Sequence, residues 1–259
     1  MSAPLPEQAG QRGARNCRRS PGPRWRIGSV SIDPWALASL TSFGISYGVL
    51  SAYYGAVSAA GVLTIIGLHE MGHILAARRF GVHMHWPIFI PLVGAFVSGR
   101  GGVYDPYKNA CIGISGPLAG VAATLLLHWV ASRSGSEDLK EAVRFGYAAH
   151  LFNLIPAGIL DGGHVAEFVG RWLWVPGAVL LGWMVFMMRD SGWYTLVMLA
   201  MIMVPAVWRA VMVVLRWCGL ADRITPARGR GLKRAAMLAV ALATVAVCAC
   251  GLAALVSRR

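Results

Sequence analysis

The chain has 259 residues, of which 56% are hydrophobic and only 14% charged, and its mean hydropathy is +0.57. Its apolar residues are gathered into runs too long for the core of a water-soluble domain, so the expected class is an all-α polytopic membrane protein. The formal net charge of +13 would suit nucleic acid, but the charge sits in two clusters beside apolar runs, with no nucleic-acid-binding motif, so no nucleic-acid partner is expected.

In chain order, residues 1–28 are rich in Pro, Gly and Arg, with Arg12, Arg15, Arg18, Arg19, Arg24 and Arg26. They read as a disordered basic tail, and they lack the apolar h-region of a cleaved signal peptide. Apolar runs follow near Pro34–Ala52, Gly55–Ala77, Ala110–Ala131, Ala142–Phe168, Trp172–Met188, Trp193–Leu215 and Ala235–Val256. Each comes close to the roughly 20 residues a helix needs to cross a bilayer, which predicts six or seven transmembrane helices. Between the second and third runs, Val82–Val103 mixes β-formers with Pro87, Pro91, Gly94, Gly99, Gly101 and Gly102. That composition predicts a short β-hairpin or re-entrant segment rather than a helix. Ser132–Glu141 reads as an acidic loop, and Arg216, Arg223, Arg228, Arg230, Lys233 and Arg234 form a basic cluster before the last run. Basic clusters flank membrane helices on the cytoplasmic side and favour anionic lipid. The N-terminus is therefore expected in the cytoplasm, with the second and fourth runs returning there.

Two strings carry chemistry. His69-Glu70-Met71-Gly72-His73 is H-E-x-x-H, with two histidines at i and i+4 on one helix face and a glutamate beside them. That spacing suits a zinc ion held by two imidazoles, with a carboxylate placed to act as general base. Asn153-Leu154-Ile155-Pro156 leads into Leu160-Asp161-Gly162-Gly163. On the expected topology Asp161 lies at the depth of His69 and His73, nearer the cytoplasmic face. Two histidines and one aspartate leave a tetrahedral zinc one open position, the arrangement of a catalytic site. For Asp161 taken alone, Asp-Gly-Gly is also turn chemistry. His164 reads as a loop histidine, His83 and His85 as one face of a strand, and His128 and His150 as ordinary polar residues within helices. The five scattered cysteines (Cys17, Cys111, Cys218, Cys248, Cys250) imply neither a disulfide framework nor a thiolate metal site.

Together these strings resemble the site-2 protease family of intramembrane zinc metalloproteases. The resemblance implies that His69 and His73 bind one zinc ion per chain, that Asp161 is the third ligand and that Glu70 is catalytic. It further implies that Asn153 and Pro156 mark a helix interruption near the metal, supported by Gly162 and Gly163. Ser115-Gly116-Pro117-Leu118-Ala119-Gly120 resembles the family's third core helix. The implied organisation is a basic cytoplasmic tail over 1–28, a catalytic membrane core with a three-helix centre over 34–170, and C-terminal transmembrane helices over 171–259. Family members often carry a PDZ or CBS domain, and no segment here is long enough for one.

The expected activity is hydrolysis of peptide bonds in membrane-embedded proteins near the cytoplasmic face of a bacterial cell membrane. The expected partners are a membrane-protein substrate and the bilayer. A strand edge near the metal, at Gly94, Ala95, Phe96 and Val97, is the expected docking place for an unwound substrate. Two other classes fit parts of the pattern. A multi-span transporter predicts paired helix interruptions in two related halves, and no internal repeat is present. A catalytically inactive scaffold that binds membrane helices has no use for Glu70.

Overall fold

The computed structural model describes residues 25–27, 30–100, 105–187, 207–208, 210–214 and 231–256. Two of its helices start in the same way. Asp33 and Asp105 sit in extended conformation, each followed by proline, and accept hydrogen bonds from Trp35 N (3.0 Å) and Tyr107 N (2.9 Å). Aspartate at the N-cap satisfies an orphan amide, and proline in the first turn forfeits an amide that had no partner anyway. These caps open α1 (Pro34–Tyr54) and, further on, α3 (Pro106–Ser134). Between them lies α2 (Ala56–Arg79), separated from α1 by Gly55 alone, whose φ of 83° lets the chain reverse.

The acidic loop expected at Ser132–Glu141 is almost absent. Helix α3 runs on to Ser134, Gly135 closes it in the left-handed conformation, and Ser136 caps α4 (Glu137–Asn153) by accepting from Leu139 N. Glu137 and Asp138 fall in the first turn of α4, where the helix dipole favours negative charge.

The apolar run Ala142–Phe168 is likewise not one span. Helix α4 ends at Asn153, residues 154–160 form turns and bends rather than a continuous helix, and α5 (Asp161–Val169) begins at the aspartate. A single 3₁₀ turn at Arg171–Leu173 leads into α6 (Trp174–Met187), and α7 spans Gly231–Val256. The run at Trp193–Leu215 lies mostly outside the described residues, as do residues 1–24 and 216–230. Trp25–Ile27, which belong to the expected disordered tail, form a strand β1 paired antiparallel with β2 (Val30–Ile32).

Val82–Val103 folds largely as its composition predicts. Strand β3 (His83–Met84) pairs with β6 (Gly99–Arg100), and β4 (Ile88–Ile90) pairs with β5 (Gly94–Phe96), all antiparallel. The two pairings are nested. His85 N still bonds Ser98 O (2.8 Å), then the register moves to Ile88 opposite Phe96. One strand takes three steps where the other takes two, so a bulge sits at Trp86-Pro87, where proline's missing N–H does no harm.

Among the described residues, α2, α3 and α7 are long and apolar enough to cross a membrane. Of the expected six or seven spans, three are found among the described residues. Helix α1 has the length, but Ser39, Thr41, Ser42, Ser46 and Ser51 dilute its hydrophobicity. The bundle is built around α2 and α3, whose apolar stretches are 56% and 50% buried, against 17% for α7. Small residues let the helices approach. A methyl group added to Gly72 would strike the Ser115 carbonyl on α3, and one added to Gly251 would strike the Tyr147 ring. Large apolar side chains face outward, among them Leu40, Leu75, Leu126, Val179 and Leu242, as lipid contact requires.

The two ends of the bundle differ in charge. Phe80 just beyond α2, Tyr107 on α3 and Phe168 on α5 are aromatic rings each covered by a cation: Lys108, Lys233 and Arg234 respectively. Arg78 and Arg79 end α2 at this same basic end. At the other end Ser58, near the start of α2, donates to the carbonyl of Asp138 on α4.

Candidate metal centre

Helix α2 carries His69, Glu70 and His73 without interruption, and all three are buried, at 4%, 6% and 7% exposure. One helical turn sets the two imidazoles on one face, with their Nε2 atoms 3.1 Å apart. Asp161, the first residue of α5, meets both: Oδ2 lies 3.1 Å from His69 Nε2, and Oδ1 lies 3.2 Å from His73 Nε2. These three side chains form the one group among the described residues with the geometry to hold a metal ion.

The donor chemistry fits a cation. His73 Nδ1 lies 2.8 Å from the carbonyl of Ile112. A carbonyl only accepts, so the ring proton is on Nδ1, and neutral His73 presents a lone pair at Nε2. That lone pair faces a carboxylate and a second imidazole nitrogen. Acceptors turned toward one another in an apolar interior repel unless a proton or a metal cation lies between them. The carbonyl beyond His73 is the outer partner that metal-ligating histidines require.

The break between α4 and α5 is what brings Asp161 in. Pro156 has no amide to donate, and Gly158 takes φ 56°. The backbone turns back on itself through Leu160 N to Ala157 O (3.1 Å) and Gly163 N to Leu160 O (2.8 Å). Leu154, Ile155, Ala157 and Leu160 are buried while Ile159 is 60% exposed, so most of this non-helical stretch is enclosed by protein. Gly162 and Gly163 pack against backbone carbonyls of the break. A Cβ on Gly162 would collide with Leu154 O, and one on Gly163 would stand 2.7 Å from Gly158 O. Gly177 of α6 seats the Pro156 carbonyl in the same manner. Asn153 is the last residue of α4, at the edge of this break.

Helix α3 completes the enclosure with two glycines one turn apart. Gly116 faces the His73 ring and Gly120 the His150 ring, and a side chain at either would occupy the space of the imidazole. Ser115 Oγ lies 2.6 Å from Ile112 O and 3.0 Å from Gly72 O, tying α3 to α2. The Ser-Gly-Pro-Leu-Ala-Gly segment is thus the wall on which the histidines rest.

Of the other histidines, His164 lies within α5, not in a loop, with Nδ1 3.0 Å from Asn109 Nδ2. His83 is in strand β3, and His85 stacks on Trp35. His128 Nδ1 lies 3.1 Å from the Tyr147 hydroxyl. Of the residues expected to dock a substrate, Gly94, Ala95 and Phe96 form β5, which packs against α2, with Val97 following. Phe89 of the paired strand lies 3.8 Å from where Gly67 would carry a side chain, two residues from His69. The residue that sequence reading passed over is His150. Its Nδ1 lies 3.3 Å from His69 Nδ1. His150 stands in the apolar second half of α4, among Phe145, Tyr147, Ala148, Ala149, Leu151 and Phe152, and an ionisable residue in such a setting is a candidate for function.

Residues 57–151 match the model of peptidase family M50, the site-2 protease family. No curated protein matches the chain. The match covers the first motif, the hairpin, α3 and His150, and ends before Asn153. It supports a hydrolase of the metalloprotease class, and the apolar helices fit a membrane protein.

Proposed function

We propose that the chain is an intramembrane zinc metalloendopeptidase that cleaves membrane-embedded protein substrates near the cytoplasmic face. The observation that carries this reading is the convergence of His69, His73 and Asp161 in the interior of a bundle with lipid-facing outer surfaces. Two imidazoles and a carboxylate are a zinc donor set with room for a further ligand. A zinc ion held there supplies Lewis acidity, polarising the scissile carbonyl and acidifying water.

The protein's own residues do the rest. Glu70 accepts a proton from the attacking water and returns it to the leaving amine. Its burial at 6% exposure is costly for a carboxylate in lipid surroundings, and that cost is understandable for a catalytic base. The β4–β5 hairpin offers β5 as an edge to which an unwound substrate adds as a strand, through main-chain hydrogen bonds that ignore sequence. Unwinding is needed because peptide carbonyls in a substrate helix are engaged in i to i−4 bonds. The gathering of Arg78, Arg79, Lys108, Lys233 and Arg234 at one end of the bundle supports a cytoplasmic assignment for that end.

The test is Glu70→Gln, which keeps size and polarity but removes the base. Cleavage is expected to fall by about 10²–10⁴-fold with zinc content unchanged. Comparing membrane-fraction proteomes of cells carrying the native chain and the variant should then reveal accumulated uncleaved substrates. Turnover of such a substrate within a few-fold of the native chain would remove Glu70 from the mechanism.

A further inference from the structure

His150 lies on α4, outside both motifs, and is only 2% exposed. Its ring is parallel to that of His69 within 1°, with centroids 5.3 Å apart, while the two Nδ1 atoms stand at 3.3 Å. The nitrogens are closer than the centroids, so the rings meet edge to edge through a hydrogen bond. On its far side His150 Nε2 lies 3.3 Å from Thr124 Oγ1, and Thr124 Oγ1 lies 2.8 Å from the Gly120 carbonyl.

The positions of the protons follow in sequence. The Gly120 carbonyl can only accept, so the single hydroxyl proton of Thr124 goes to it. Thr124 Oγ1 then accepts from His150, which places the proton of a neutral His150 on Nε2. His150 Nδ1 is left as a lone pair and accepts from His69 Nδ1–H. His69 therefore turns a lone pair at Nε2 toward Asp161 and His73. Every donor in this chain has one acceptor, and none is left over. The seat is built for it: Gly120 has no side chain where the His150 ring lies, and Thr124 is fully buried.

From this geometry we infer that His150 is a positioning residue for the metal centre. It fixes the tautomer and ring orientation of His69, with Thr124 and Gly120 as its support. His69 thereby has the counterpart of what the Ile112 carbonyl does for His73, from a side chain instead of the backbone. The inference rests on reading His69, His73 and Asp161 as metal ligands.

The experiment measures binding of zinc and cobalt to the full chain in detergent, by chelator competition and by the visible spectrum of the cobalt form. Loss of such an outer partner typically costs 10–100-fold in metal affinity, so His150→Leu should raise the dissociation constant by about that factor and alter the cobalt spectrum. His150→Asn offers an amide oxygen where Nδ1 stood and should recover affinity to within about 5-fold of the native chain, a small part of that loss. A packing role predicts otherwise, because asparagine fills the cavity less well than leucine. Equal weakening by both variants would overturn the inference, as would His150→Leu binding like the native chain. Should His150→Leu fail to insert, Thr124→Val decides. It removes the Thr124 hydroxyl from His150 Nε2–H, and severalfold weaker binding is expected; unchanged affinity would overturn the inference. A native chain that takes up no metal would overturn the underlying site reading, an outcome distinct from all of these.

Discussion

Helix α2 delivers His69 and His73 from one unbroken run of 24 residues, whereas Asp161 arrives on a limb that stops at Asn153 and restarts at the aspartate. The first route uses periodicity: i and i+4 share a face, so two ligands come already aligned. The second route abandons periodicity. A short carboxylate must be brought up to ligands on another helix, and the break does this by turning the backbone. It also places Asp161 in the first turn of α5, where the helix dipole favours a carboxylate. The cost is a stretch of backbone outside the regular helical ladder, which the glycines at 162, 163 and 177 offset by letting neighbouring backbone pack tightly around it.

The largest effect expected from this contrast is at the ligands themselves. His69→Ala or His73→Ala should abolish stoichiometric metal, and Asp161→Ala should weaken it strongly without matching either histidine variant. Elemental analysis of purified protein measures all three. Full occupancy in both histidine variants would detach α2 from metal binding and leave the contrast without its first half.

The unbroken helix also seats the hairpin, through Phe89 at Gly67 and β5 against α2. Proline introduced at Ala95, Phe96 or Val97 removes an N–H and should impair cleavage wherever that group faced the substrate, with metal retained. Single alanine changes at Phe96 or Val97 should matter much less. Photo-crosslinking from positions 88 to 99 sharpens the point: a substrate that is cleaved yet captured at none of them would show that docking lies elsewhere.

The same contrast marks what was legible in the residues. His69, Glu70 and His73 declared themselves by spacing, and Asp161 by its motif. The hairpin was visible as prolines and glycines among β-formers, though its nested register and the bulge at Trp86-Pro87 depend on pairings that composition does not encode. The fourth apolar run was harder to divide, because leucine, isoleucine, alanine and glycine read alike whether coiled or turned in an apolar setting. The short connection at Gly135-Ser136 was missed for a related reason: charged residues read as loop, while Glu137 and Asp138 in fact serve the first turn of α4. His150 escaped because its partners, His69 and Thr124, are distant in sequence and meet it only after three helices pack.

A smaller effect separates glycines that serve the break from glycines in plain helix. Gly162→Ala should destabilise the folded protein by about 1–3 kcal/mol, because its methyl group must displace the Leu154 carbonyl. Gly48→Ala in α1 meets nothing within 4 Å and should be neutral or stabilising by up to ~1 kcal/mol. Thermal unfolding in detergent distinguishes them. Equal midpoints would mean that the break yields easily and is not held by close packing.

The smallest effect is expected at the residue that looks most responsible for the break. Pro156→Ala restores an amide whose helical acceptor would be the Phe152 carbonyl, but that carbonyl already accepts from Ile155 N at 3.1 Å. The left-handed Gly158 and the contacts of Gly162, Gly163 and Gly177 remain in place. Healing the helix from Asn153 to Asp161 would carry the aspartate to roughly 12 Å along the axis at 1.5 Å per residue, and with it would go all of that packing. Zinc affinity is therefore expected to stay within a few-fold of the native chain, with stability lowered by no more than ~1 kcal/mol through the freer unfolded state. Loss of stoichiometric zinc in Pro156→Ala would place the break in proline alone, and the glycines would then be followers of the turn rather than its makers.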